Sequence, residues 1–148
     1  MKISIASDHA GFELKKEIVA YLKKKPGIEI IDMGTDSEHH SVDYPEMAAK
    51  VARSLQKQES ERGIILCGTG IGISISANKF KGIRAALCHD AYTARMSRAH
   101  NNANVLAMGG RTTGKEVAFD MVDIWLDTEF EGDRHQRRVD LIASFEQD

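Results

Sequence analysis

Five short runs rich in β-branched and aliphatic residues alternate along the chain with longer segments of helical period, and this alternation constrains the fold more than any other feature. The runs are Lys2 to Ser7, Ile28 to Met33, Gly63 to Cys67, Ile83 to Cys88 and Asn104 to Met108. Several are apolar almost throughout, as strands covered on both faces must be. The first helical segment, near Phe12 to Lys25, is stopped by Pro26-Gly27, and the second starts at Pro45, a favourable first-turn residue. Three more follow: about Ile71 to Lys79, Asp90 to His100, and Lys115 to Asp127, the last with Val117, Met121, Ile124 and Trp125 predicted to face inward. An amphipathic segment, about His135 to Glu146, closes the chain. Strands separated by helices pair in parallel through crossovers. The predicted fold is therefore α/β: a Rossmann-like three-layer αβα sandwich on a five-stranded parallel sheet, with a C-terminal helix. At 148 residues there is room for one such domain, spanning 1–148.

Composition narrows the partners. Lys plus Arg number 20 against 22 Asp plus Glu, a net charge of -2 that supports neither a nucleic-acid nor a membrane partner. No apolar run approaches the ~18 residues needed to span a bilayer. Asp8 interrupts the N-terminal apolar stretch too early for a secretory segment. Two cysteines, Cys67 and Cys88, suit a reducing compartment, so a cytoplasmic protein is expected. The cations are sorted by type: ten of eleven lysines lie at or before Lys81, and seven of nine arginines lie after it. Guanidinium grips an oxyanion through a planar fork, which makes the later arginines candidate anion ligands.

Open α/β sheets bind ligands beyond the carboxyl ends of their strands. Strand one ends in Ser7-Asp8-His9-Ala10-Gly11, strand three in Cys67-Gly68-Thr69-Gly70-Ile71-Gly72, and strand five in Gly109-Gly110-Arg111. Three alternating glycines before a helix let backbone N–H groups approach an anion, forming an oxyanion nest. A dinucleotide fingerprint fails, because Ile73 or Ile75 occupies the third glycine position; Asp90, at the distance of a ribose reader, keeps a nucleotide reading open. Cys67, beside a helix start, is placed to act as base or nucleophile, whereas Cys88 reads as a small buried hydrophobe. A second cluster, Arg98 to Asn104, contains His100 and three asparagines suited to sugar hydroxyls or a polar turn. In a third, Gly132 to Arg138, Arg134 and Arg138 share a helix face at i, i+4.

Asp8-His9-Ala10-Gly11, Asp43-Tyr44-Pro45, Cys67 through Ser74, Ala77-Asn78-Lys79, Gly82-Ile83-Arg84, His100-Asn101, Asn104-Val105-Leu106 and Gly132-x-Arg134-His135 together resemble ribose-5-phosphate isomerase type B, over nearly the whole chain. The resemblance implies interconversion of ribose 5-phosphate and ribulose 5-phosphate without metal or nucleotide cofactor. It implies Cys67 as the base between C1 and C2, with Thr69 assisting, and the backbone of Gly68, Thr69, Gly70, Ile71 and Gly72 as the enediolate cradle. His100 would open the furanose with Asp8 as its polar partner, His9 and Asn101 would contact substrate, and Arg111, Arg134 and Arg138 would hold the phosphate. Sites in this family lie between two subunits, so a homodimer, alone or paired into a tetramer, is implied, with Tyr44 lining the pocket.

Two departures stand out. Ile73 occupies the place where some relatives carry a carboxylate base, leaving the role to Cys67, and Asp133 replaces a glycine common in relatives. Alternatives are a six-carbon sugar-phosphate isomerase, acting on allose 6-phosphate or galactose 6-phosphate, and a non-catalytic phosphosugar- or nucleotide-binding domain. The second alternative needs neither Cys67 nor His100. If Arg134 grips phosphate bidentately, Arg134→Lys should mainly raise KM in steady-state assays; an unchanged KM would remove Arg134 from the phosphate site.

Overall fold

The computed structural model describes residues 1–147. Among them five strands, β1 (Lys2–Ser7), β2 (Glu29–Asp32), β3 (Arg62–Cys67), β4 (Ala85–Leu87) and β5 (Val105–Gly109), form one sheet of order β2-β1-β3-β5-β4. Every neighbouring pair is parallel. The helices are α1 (Phe12–Leu22), α2 (Tyr44–Gln56), α3 (Ile71–Ala77), α4 (Ala91–Ala99), α5 (Lys115–Asp127) and α6 (Asp133–Ser144). This is the expected α/β sandwich. None of the helices is long and apolar enough to cross a membrane.

Side chains alternate across a strand, and that alternation builds two cores. Ile3, Ile5, Ile64, Leu66, Leu106 and Met108 pack with α1 and α5 on one face. Ala6, Ile65, Cys67, Val105 and Ala107 pack with α2 and α3 on the other. The same period sends the Cys67 side chain to the face that α3 covers. Ser4 shares that face and is satisfied by Ser60 Oγ at 3.0 Å, which in turn pairs with Ser54 Oγ at 2.9 Å.

Three local expectations are corrected. β4 is shorter than predicted because side-chain amides replace its ladder: Arg84 N–H donates to Asn104 Oδ1, and Asn78 pairs with both backbone groups of Ala85. Val117 does not face inward but is 43% exposed, one position off the stripe of Ala118, Met121, Val122 and Trp125 that fills the core. α6 starts two residues early, launched by Gly132 (φ +69) and by Asp133, itself at φ +45, a conformation that a glycine would adopt without steric cost.

Two of the late arginines turn out to be structural. Arg98 is 8% exposed and donates Nη1–H to the Ala103 carbonyl (2.7 Å) and Asn102 Oδ1 (2.9 Å), with Nε–H toward the Thr128 carbonyl (3.4 Å). Arg84 Nε–H donates to the Asn102 carbonyl. Arg62 does the same at the end of α5, donating to the carbonyls of Trp125 and Leu126. Burial first, then the neighbouring Arg62 and Arg84, holds the Arg98 guanidinium down to about 10, still protonated at neutral pH. Arg98→Met, which orphans these carbonyls, should lower the unfolding free energy by about 2 kcal/mol. Urea denaturation at pH 7 measures it, and an unchanged midpoint would mean that the carbonyls find other partners.

Candidate active site

The sheet order reverses at β1, with β2 on one side and β3, β5 and β4 on the other, and ligands of open α/β sheets bind above such a switch point. Two loops meet there. After β1, Asp8 is 6% exposed and its Oδ1 accepts from Ala10 N–H (3.0 Å) and Gly11 N–H (3.1 Å), fixing a single tight turn. That turn carries His9, whose Nδ1 accepts from Val42 N–H at 3.3 Å and whose Nε2 is thereby the nitrogen left to donate.

After β3 comes the glycine loop. Cys67 is 5% exposed, and its Sγ accepts from Gly70 N–H at 3.1 Å. Gly70 adopts φ +78, and a Cβ on it would stand 2.8 Å from the Met108 carbonyl carbon, so the loop needs glycine here for conformation and for space. Thr69 Oγ1 accepts from Ile71 N–H at 3.3 Å. The first helical hydrogen bond of α3 is Ser74 N–H to the Gly70 carbonyl, so the N–H groups of Gly72 and Ile73 precede the helical ladder, and the Gly68 carbonyl is taken by Arg111 N–H at 3.0 Å. Arg111 also lies along the loop, its Nη1 3.5 Å from where a Gly68 Cβ would be. Tyr44 covers the other side, so close that a Cβ on Gly72 would stand 3.0 Å from its Oη. Asp8, His9, Cys67 to Gly72, Arg111 and Tyr44 are thus assembled at one rim.

The remaining expected residues are not at that rim. α4 carries the chain back to the amino end of the sheet, and His100 is its C-cap, donating backbone N–H to the Met96 carbonyl. The turn that follows stands beside the start of β3, where the Asn104 carbonyl accepts from Gly63 N–H at 2.9 Å. Cys67 pairs in register with Gly109, at the far end of β5. The length of β5, roughly 13 Å at strand rise, therefore separates the two groups. Asp8 and His100 are not partners within one chain.

His100 has its own surroundings. Its ring stacks on that of His135, centroids 4.2 Å apart and planes 8° from parallel. Glu131 Oε2 lies 3.4 Å from His135 Nε2 and 3.9 Å from His100 Nε2, and Arg134 Nε–H donates to His135 Nε2 at 3.4 Å. Arg134, Arg138 and Asn101 are exposed at this same end. The donor atoms of His100, Glu131 and His135 lie within 4.8 Å of one another. As placed, however, they suit a metal ion poorly: stacked rings keep their lone pairs in separate, nearly parallel planes, and Arg134 already donates to one of them.

Other readings narrow. Asn102 and Asn104 are spent on Arg84, Arg98 and Gly82, leaving Asn101 as the asparagine available to a ligand. Asp90 is no ribose reader: it caps α4 through Thr93 N–H (2.7 Å) and Thr93 Oγ1 (2.9 Å), bonds that hold its carboxyl below the usual range. Cys88 is buried, and burial pushes its thiol up. The cluster of Glu131 and His135 with His100 was not legible from spacing, because His135 meets His100 through a tertiary stack and Glu131 precedes the chain turn at Gly132 rather than sharing a helix with His135.

Residues 3–142 match the ribose/galactose isomerase family. Ribose-5-phosphate isomerase B of Escherichia coli is 51% identical over 146 residues, covering 99% of this chain and 97% of that protein. The solved structure of ribose-5-phosphate isomerase B from Clostridium thermocellum superposes with a TM-score of 0.96 at 54% identity, covering 99% of this chain and 98% of the other. That of Mycoplasma genitalium, with bound ribulose-5-phosphate, superposes at 0.93 and 41% identity, covering 99% and 97%. The chain belongs to the ribose/galactose isomerase family. Gly70→Ala, which places a methyl against Met108 in a left-handed backbone, should cost about 2 kcal/mol of stability, read from chemical denaturation. Wild-type stability in this variant would show that the loop relaxes.

Proposed function

We propose that this protein interconverts D-ribose 5-phosphate and D-ribulose 5-phosphate through an enediolate, in sites that two copies of the chain complete together. The observation that carries this reading is the thiol of Cys67, seated in the glycine nest with Gly70 N–H on its sulfur and Arg111 alongside. Binding alone has no use for a thiol at the centre of an anion cradle. Relatives of 41–54% identity, one with ribulose-5-phosphate bound, support the same substrate.

In this scheme Cys67, as thiolate, removes the C2 proton of the open-chain aldose while the electron pair moves onto O1. Backbone N–H groups of the loop stabilise the enediolate, and such fixed donors contribute most where charge develops. Protonation of O1, loss of the O2 proton and return of the thiol proton to C1 give the ketose. No electron enters or leaves overall. Thr69 and His9 contact the substrate oxygens. Arg111 meets the phosphate from the chain that holds Cys67, and Arg134 and Arg138 meet it from the second copy, which also supplies Asn101 and His100, the ring opener. Asp8 shapes the turn beneath His9 and becomes a neighbour of His100 only across the pair of subunits.

Exposed apolar groups at both ends support the pairing. Ile71 and Ile75 stand beside the glycine loop, at 53% and 57% exposure, and Ile142 and Phe145 stand at the His100 end, at 43% and 71%. Large apolar side chains left exposed at each end are available for burial against a partner. The domain 1–148 then acts as one half of a site-bearing unit.

The test is to incubate the protein with ribulose 5-phosphate in D2O and follow deuterium at C1, alongside kcat/KM for ribose, allose and galactose phosphates. Exchange together with a preference for the five-carbon substrate is expected, and Cys67→Ala should lower kcat by about 10³-fold or more with circular dichroism unchanged. Exchange that survives Cys67→Ala would remove Cys67 as the base, and absence of exchange in the unmodified protein would leave only a binding domain.

A further inference from the structure

An acid/base must hold its ring in one orientation, and the usual device is a hydrogen bond from one ring nitrogen to a carboxylate or carbonyl. Among the described residues the His100 ring makes no hydrogen bond; Glu131 Oε2, at 3.9 Å, is beyond reach. One face of the ring instead stacks on His135. The two histidines differ in their setting: the His135 side chain is 6% exposed and that of His100 37%. His135 is also anchored, by its backbone N–H to the Gly132 carbonyl (2.9 Å) and by Arg134 Nε–H on its Nε2.

We propose that His135 is a positioning residue for His100: its buried ring is the platform that fixes the exposed imidazole, so that the free edge of His100 meets the ring oxygen of a sugar bound by the other subunit. The proposal rests on the reading above in which His100 opens the furanose. Ring opening breaks the C1–O4 bond while one proton leaves the C1 hydroxyl and one reaches O4; the imidazole accepts the first and supplies the second, ending unchanged. A platform for such a ring works best uncharged, because a second imidazolium in stacking contact would oppose protonation of the first. Burial foremost, then His100, Arg134 and Arg138, holds His135 below the ordinary imidazole range, with Glu131 acting in the opposite sense. Arg134, bonded through Nε, keeps its two terminal nitrogens for phosphate.

Ring opening can be separated from proton transfer between carbons. Ribulose 5-phosphate has its O5 blocked by phosphate and cannot close a furanose, so exchange of its C1 hydrogen with D2O needs Cys67 but not the ring opener. His135→Ala should lower kcat with ribose 5-phosphate by about 10²-fold, the cost of a misplaced catalytic group, while the rate of C1 exchange at saturating ribulose 5-phosphate stays within about threefold of wild type. His135→Phe, which keeps a flat ring in the stack, should restore kcat to within about fivefold of wild type. The proposal is overturned if His135→Ala keeps full kcat, if both readouts fall together, or if His135→Phe is as slow as His135→Ala. Absence of exchange in the unmodified protein would overturn the isomerase reading itself and the proposal with it.

Discussion

A parallel sheet obliges each crossover helix to carry the chain back to the end at which the strands begin. A residue that follows a strand and a residue that follows a helix therefore lie at opposite ends of the sheet. Cys67 follows β3 and His100 follows α4. The thickness of the sheet end to end, and not a flexible loop, stands between them, and no change of side-chain rotamer closes a gap of roughly 13 Å. From this one constraint follows the division of the arginines, with Arg111 at one end and Arg134 and Arg138 at the other, and on it rests the proposal that a second copy completes the site.

Each half is built with the rigidity that its role demands. In the first, the alternation of side chains along β3 turns Cys67 toward α3, and a left-handed Gly70 bends the loop until its own N–H meets the sulfur. Backbone hydrogen bonds from Gly110 and Arg111 to the carbonyls of Cys67 and Gly68 fasten that loop to the one after β5. In the second, three guanidiniums grip backbone carbonyls around the turn that carries His100 and the end of α5. Buried arginine serves there as scaffold, and the exposed arginines of α6 remain available to a ligand.

Much of this was legible in the residues. The five strands and six helices follow from periodicity, and the alternating glycines after β3 mark by composition alone the loop whose backbone N–H groups precede α3. What periodicity could not register is competition between side chains and backbone: Asn78 and Asn104 shorten β4, and Asp90 is consumed as a cap. Nor does spacing distinguish Arg84 and Arg98, which bond carbonyls, from Arg134 and Arg138, which face solvent. The pairing of His100 with His135 is a contact between the end of α4 and the start of α6, 35 positions apart, and belongs to tertiary structure. Resemblance grouped Cys67 with His100 in one site; only topology shows that a single chain holds them at opposite ends.

The most direct test is subunit complementation. Cys67→Ala and His100→Asn proteins, each inactive alone, are unfolded together, refolded as a mixture and assayed with ribose 5-phosphate, with mixed dimers confirmed by a mass tag on one variant. Each mixed dimer regains one intact site out of two, so the mixture should recover about one quarter of wild-type activity. Mixed dimers that form and remain inactive would contradict the account, because the two residues would then have to serve within the same chain.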